Sequence, residues 1–117
     1  MKTTKYIDYY FESSSIKTEE FKSFARAFRT DIKEQIRDNF ILEEFNTGHF
    51  YCSGFLKSIE NGKYVYFSIP DVRFFRNEWN NNILIRTAEH LKDYTGGVNN
   101  RTTLEEFNNN ILKLINH

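Results

Sequence analysis

The sequence has a single cysteine, no net charge and no long apolar run, and each absence excludes a class of protein. Cys52 alone cannot form an internal disulfide, which excludes small disulfide-stapled secreted domains and favours a reducing compartment. Sixteen basic and sixteen acidic residues cancel, so total charge gives no reason to expect a polyanionic partner. No stretch approaches the roughly 20 apolar residues of a membrane-spanning helix, and no signal-peptide pattern is present. We therefore expect a cytoplasmic protein without a membrane partner.

The composition is that of one folded domain over residues 1–117. Twelve Phe and seven Tyr residues, with 39% hydrophobic residues overall, are the opposite of the aromatic-poor composition of disordered chains. A chain of this length can bury one hydrophobic core. The sequence shows no internal repeat and no linker, so we predict a single domain.

The hydrophobic periods predict an α+β domain with the element order β-α-β-β-β-β-α. Apolar residues at helical spacing predict an amphipathic helix over 19–37. Thr103 and Glu106 form a capping box, which predicts the start of a closing helix. Strands are predicted over 4–11, 40–45, 49–59, 63–69 and 83–88. Short turns between consecutive strands favour an antiparallel sheet of about five strands, with the two helices packed on one face.

Asn61-Gly62 predicts a two-residue hairpin turn, which would pair Leu56 with Phe67 and Lys57 with Tyr66. One face of the hairpin would then carry Phe50, Cys52, Leu56, Val65, Phe67 and Ile69. The other face would carry Tyr51, Phe55, Ile59, Tyr64 and Tyr66. Both faces are more apolar than a sheet with one solvated face requires.

Five basic residues follow one side of the predicted first helix, in a stripe roughly 80° wide. They are Lys22, Arg26, Arg29, Lys33 and Arg37. Like charges at this spacing repel one another by a few tenths of a kcal/mol per pair. The functional interpretation of the stripe is a binding surface for nucleic acid or for an acidic protein. The alternatives are that the stems lie along the buried stripe with their heads in water, or that acids elsewhere in the fold pair with them.

Aromatic residues supply two further candidate surfaces. Tyr51, Tyr64 and Tyr66 could stack bases, anchor a protein partner or mediate a homodimer, and the alternative is internal cross-strand packing. The segment over 73–79 combines basic and aromatic residues of the kinds that dominate interface hot spots, and its alternative role is to close the core. Its candidate partner-binding residues are Arg73, Phe74, Arg76 and Trp79.

Signals for catalysis, metal binding and cofactor binding are weak. His49 and Cys52 lie three residues apart on a predicted strand, so their side chains would point to opposite faces. Gly96-Gly97 lacks the spacing of a phosphate-binding glycine motif. A Cys52–His90 pair is the remaining catalytic hypothesis. We therefore predict a protein that is not an enzyme and that needs no metal or cofactor.

Three segments together carry a resemblance to known proteins: GHFYCSGFLK over 48–57, PDVRFFRNEW over 70–79 and ILIRTAEHLKDYTGG over 83–97. They resemble small proteins carried by phages, plasmids and integrative elements of low-GC bacteria, a setting that includes inhibitors of host defence such as anti-CRISPR proteins. The resemblance implies a stoichiometric binder of a host protein or ribonucleoprotein complex, for example a CRISPR nuclease. The neutral net charge is unlike that of strongly acidic DNA mimics. The alternative hypothesis is an RNA- or DNA-binding domain that uses the same basic stripe.

Overall fold

The computed structural model describes residues 18–72, 81–94 and 96–116. The elements within these ranges are α1 (Thr18–Ile36), β1 (Phe40–Thr47), β2 (Cys52–Ser58), β3 (Tyr64–Ser68), β4 (Ile83–Ala88), β5 (Asn100–Thr102) and α2 (Phe107–Ile115). The strands form one sheet in the order β1-β2-β3-β4-β5, and every neighbouring pair is antiparallel. The predicted class, an α+β fold with a five-stranded antiparallel sheet and two helices, is confirmed.

The five strands are not the five that the sequence predicted. The predicted strand over 4–11 lies outside the described residues, and β5 takes its place in the count. Asn100–Thr102 is too short to show an alternating pattern, and its pairing with β4 defines it as a strand. Thr102, opposite Ile83, is its one buried residue.

Helix α1 packs on the sheet through one stripe of large apolar side chains. Phe24, Phe28 and Ile32 are fully buried. The ring of Phe28 lies 6.2 Å from those of Phe24 and Phe45 and 6.3 Å from that of Phe67, measured between centroids. These contacts join the helix to β1 and β3, and they fix which side of α1 faces solvent.

Helix α2 packs on the same face of the sheet. The ring of Phe107 meets that of Phe67 edge to face, with centroids 5.5 Å apart. Gln35 joins the two helix regions: its Nε2 donates to the Leu104 carbonyl at 3.0 Å, and its Oε1 accepts the Asn108 N–H at 2.7 Å. The two helices and the inner sheet face thus share one core.

The predicted capping box is present in part. The Thr103 hydroxyl accepts a hydrogen bond from the Glu106 backbone N–H at 3.1 Å. The regular helix nevertheless begins at Phe107, with Glu106 at the N-cap position and no side-chain cap there. Residues 104–106 form a turn between this bond and the helix.

The predicted register of the β2–β3 hairpin is wrong by two residues. Leu56 pairs with Val65 and Lys57 with Tyr64, because the connection has four residues, 59–62, rather than two. The Ser58 N–H donates to the Lys63 carbonyl at 2.8 Å and closes this longer loop. An even shift leaves the side chains within β2 and β3 on their predicted faces, since side chains alternate with a period of two.

The predicted turn between β1 and β2 is also misplaced. Strand β1 continues to Thr47, and residues 48–51 form the turn, closed by a 2.9 Å hydrogen bond from the Gly48 N–H to the Tyr51 carbonyl. Phe50 has a φ of 64°, in the left-handed region. His49 therefore lies in a turn rather than on the predicted strand, and β2 begins at Cys52.

Candidate binding groove beside the first helix

The basic stripe lies on the solvent side of α1. Each basic residue follows a buried apolar residue by one position, so the contacts that bury the apolar stripe turn the charged side chains outward. All five members are exposed, although Arg37 lies one residue past the end of α1: Lys22, Arg26, Arg29, Lys33 and Arg37. The structure therefore brings together the whole set that the sequence singled out.

Local contacts hold the first three stripe residues only loosely. Lys22 Nζ lies 3.4 Å from a carboxylate oxygen of Glu19, in a pair whose side chains are 60% and 86% exposed. An ion pair this exposed contributes little to stability. The Arg26 guanidinium donates to the Ser23 hydroxyl at 3.3 Å. The Arg29 guanidinium carbon lies 5.9 Å from the centroid of the Phe45 ring, a cation–π contact across to β1.

A groove of about 430 Å³ opens between these cations and the end of β1. We call it the basic groove. Its apolar part consists of Phe21 and Ala25 of α1 and Phe45 of β1. Its rim carries three of the five stripe cations, and the described lining residues are Phe21, Lys22, Ala25, Arg26, Arg29, Phe45, Thr47 and Gly48.

The aromatic rings of the groove present little free surface. Phe21 is only 5% exposed, and its ring packs against those of Phe24 at 6.1 Å and Phe50 at 5.3 Å. Phe45 is half-buried, and the Arg29 guanidinium lies over its ring. The floor therefore offers apolar contact but no open ring face.

Sequence reasoning identified the cations of this groove but not its floor. Phe45, Thr47 and Gly48 belong to β1 and the following turn, and only tertiary packing places them beside α1. The short connection over 37–39, turned by the hydrogen bond from the Asn39 N–H to the Ile36 carbonyl, returns the chain antiparallel to the helix. This short connection was the available signal that β1 would lie beside the stripe.

The three tyrosines predicted to form a face differ in position: Tyr64 and Tyr66 lie on β3, whereas Tyr51 ends the turn before β2. Tyr51 is 43% exposed, and Tyr64 and Tyr66 are half-buried. Phe55, on the same face, is fully buried, with its ring centroid 5.2 Å from Tyr66 and 5.3 Å from Tyr94. Tyr94, in the loop after β4, covers this face and was not part of the predicted set. For Phe55 and Tyr66 the structure shows internal packing.

Arg86 and Asp93 hold this covering loop. The Arg86 guanidinium lies 4.5 Å from the centroid of the Tyr66 ring and donates to the Asp93 carbonyl at 3.3 Å. The Asp93 carboxylate accepts the Glu89 and Gly96 N–H groups at 2.9 and 3.0 Å. Gly96 thus belongs to a structural loop, in agreement with its lack of a phosphate-binding spacing.

Cys52 and His90 do not meet. Cys52 begins β2 at the end of the strands where Ser68 lies, whereas His90 follows Ala88 of β4 at the opposite end of the strands. Cys52 is fully buried in the core, and burial raises the pKa of its thiol to about 12. His90 is exposed.

Within the described ranges, no group of three or more His, Cys, Asp or Glu residues is arranged to hold a metal ion. Those ranges also contain no helix long and apolar enough to cross a membrane. The other predicted binding residues, Arg73, Phe74, Arg76 and Trp79, lie outside the part of the chain that the structure describes.

The fold and the groove together define an α+β domain with a cationic, partly apolar surface beside its first helix. No protein-family model, curated protein or solved structure matches the chain. Function is therefore inferred from the surface itself.

Proposed function

We propose that this protein is a non-catalytic binding protein that engages an acidic partner through the basic stripe of α1. The observation that carries the proposal is the exposure of four cations along one face of α1, with a fifth, Arg37, directly after the helix, in a chain whose net charge is zero. The stripe is thus a local concentration of charge and not a consequence of a basic composition. Such a surface attracts and orients a partner of the opposite charge.

The alternative, a solvated helix face without a partner, differs in what it predicts for charge reversal. Long basic side chains can lie along apolar surface with their heads in water, and Arg29 over Phe45 has this arrangement. Reversing the charges of a merely solvated face should have little effect on partner binding. Reversing the charges of a binding face should abolish it.

The resemblance to proteins of mobile elements supports a particular partner. On that basis we propose a host protein or ribonucleoprotein complex of the defence machinery, such as a CRISPR nuclease, which this protein would inhibit by stoichiometric binding. Direct RNA or DNA binding is the second candidate. The length of the stripe favours it, since its four helical cations, Lys22 to Lys33, extend over roughly 17 Å of helix axis.

The test reverses Arg26, Arg29 and Lys33 to Glu and compares the variant with the wild type in pull-downs from a host-cell lysate. A matched control reverses Lys92, Arg101 and Lys113, three exposed cations away from the stripe, with the same change in net charge. We expect the stripe variant to lose a stoichiometric partner that the control retains, and both variants to keep the circular dichroism spectrum of the fold. Equal recovery by the stripe variant and the wild type would contradict the proposal.

Nuclease treatment and salt titration separate the two candidates. Phosphate contacts release counterions, so affinity for nucleic acid falls steeply with salt. A partner that survives nuclease treatment and moderate salt supports the protein-binding proposal. Recovery of nucleic acid, with a strongly salt-dependent set of attached proteins, supports the second candidate.

A further inference from the structure

We infer that the basic groove binds an acidic peptide segment by one apolar side chain, which enters the groove while carboxylates beside it meet the rim. This inference rests on the proposed function and names the chemistry of the partner at the helix surface. The occupant is a segment of a partner protein in which an aliphatic residue has Asp or Glu neighbours.

The shape and lining of the groove favour a single anchoring side chain. Its volume of about 430 Å³ is at the small end for binding pockets, and its floor is apolar at Phe21, Ala25 and Phe45. An aliphatic side chain that enters it removes apolar surface of both partners from water.

The spacing of the rim cations suits carboxylates on an extended segment. Lys22, Arg26 and Arg29 are four and three residues apart, or about 6 and 4.5 Å along the helix axis. Alternate residues of an extended peptide lie roughly 6.6 Å apart on one side. In a five-residue segment with a central anchor, the first and fifth side chains lie on the same side as the anchor, roughly 13 Å apart. The long side chains of Lys22 and Arg29, about 10.5 Å apart along the helix axis, can meet both of these carboxylates.

The aromatic residues of the groove favour a peptide over a nucleic acid. Proteins that bind single strands combine cations with aromatic faces on which bases stack. Phe21 is buried against Phe24 and Phe50, and Arg29 occupies the face of Phe45. A nucleic acid could contact the rim, but it would leave the apolar floor unfilled.

The probe is a capped synthetic peptide, Asp-Glu-Leu-Asp-Glu, titrated into the ¹⁵N-labelled full chain and followed by NMR. A second peptide, with Ser in place of Leu, has the same charge without the anchor. We expect the Leu peptide to shift the amide signals of Ala25, Thr47 and Gly48, and to bind about tenfold more tightly than the Ser peptide because the anchor buries apolar surface.

Two pairs of variants separate shape from charge. Thr47→Trp fills the groove without a change of charge, and Val98→Trp adds the same ring at an exposed site elsewhere. Arg26→Glu with Arg29→Glu reverses the rim, and Lys33→Glu with Arg37→Glu reverses the rest of the stripe by the same amount. We expect the groove-filling and rim variants to weaken the Leu peptide about tenfold, and the two controls to weaken it less than about threefold.

The outcomes distinguish this inference from the proposed function. If both double reversals weaken binding equally and Thr47→Trp has no effect, the stripe binds without the groove, which overturns the inference alone. If neither reversal weakens binding of the peptide or of the lysate partner, both proposals fail. No shift with millimolar peptide, preferential binding of an oligouridine RNA, or self-association that Thr47→Trp abolishes would each overturn the inference.

Discussion

At the scale of single residues, Cys52 shows how strongly surroundings decide chemistry. A lone cysteine in a sequence is a candidate nucleophile, and the reactive form of a nucleophilic cysteine is the thiolate. In this fold the side chain is fully buried, and burial raises the pKa of the thiol to about 12. The folded protein therefore keeps Cys52 protonated at physiological pH.

The first prediction concerns the reactivity of this thiol. Native protein should react with a thiol reagent such as DTNB orders of magnitude more slowly than urea-unfolded protein, because reaction requires exposure and ionisation of Cys52. Rapid stoichiometric labelling of the native chain would contradict the buried position.

The raised pKa of Cys52 also determines how the free energy of unfolding changes with pH. The unfolded thiol ionises near its ordinary value of 9.0 and the folded thiol near 12. Between these values the unfolded state has lost the proton that the folded state keeps, so the free energy of unfolding falls as pH rises. The stability that the buried, protonated thiol contributes is fully present below pH 9 and is lost as the pH rises toward 12. Urea unfolding from pH 8 to 11 should show a steeper fall for the wild type than for Cys52→Ala.

Gly54 is a second residue whose role follows from its contacts. A Cβ added there would meet the backbone carbonyl of Glu44 and lie 2.8 Å from the Phe67 ring. We predict that Gly54→Ala lowers the free energy of unfolding by about 1–3 kcal/mol, the usual cost of overpacking. Gly62→Ala, at a φ of 72° with no close neighbour, should cost about 1 kcal/mol. Urea unfolding of both variants tests whether Gly54→Ala costs at least as much stability as Gly62→Ala.

At the scale of elements, the parts that the sequence predicted well are those with a strong period of their own. Helix α1 was predicted over 19–37 and is observed over Thr18–Ile36, because apolar and basic residues repeat together along it. Strand β4 was predicted with its observed bounds, Ile83–Ala88. In contrast, β5 has three residues and no pattern. The loop lengths of both hairpins depend on backbone hydrogen bonds, which turn-forming residues such as Asn61-Gly62 do not specify by themselves.

The packing of α1 gives a prediction at this scale. Phe28→Ala should lower the free energy of unfolding by about 3–5 kcal/mol, because it removes a fully buried ring that contacts Phe24, Phe45 and Phe67. Arg29→Ala, one position along but exposed, should lower it by no more than about 1 kcal/mol, the scale of its cation–π contact with Phe45. Chemical unfolding measures both, and equal effects would contradict the observed orientation of the helix.

At the scale of the whole molecule, the cations of the binding surface could be predicted from the sequence, whereas the floor of the groove beside them could not. The cations of the stripe follow from helical spacing alone. The floor of the basic groove requires Phe45 and Thr47, which come into place only when β1 packs beside α1. The cover over Phe55 is of the same kind, since Tyr94 reaches it from the loop after β4. Contacts between distant parts of the chain leave no period in the sequence.

The most direct test of the central claim is the affinity of purified protein for the complex recovered from the lysate, measured by titration calorimetry. The account predicts that reversal of Arg26, Arg29 and Lys33 weakens binding about 100-fold or more, since each reversal replaces an attraction with a repulsion. The matched reversal of Lys92, Arg101 and Lys113 should leave the affinity within about threefold of the wild type. Equal weakening by the two variants would show that net charge, and not the face of α1, governs binding, and would contradict the account.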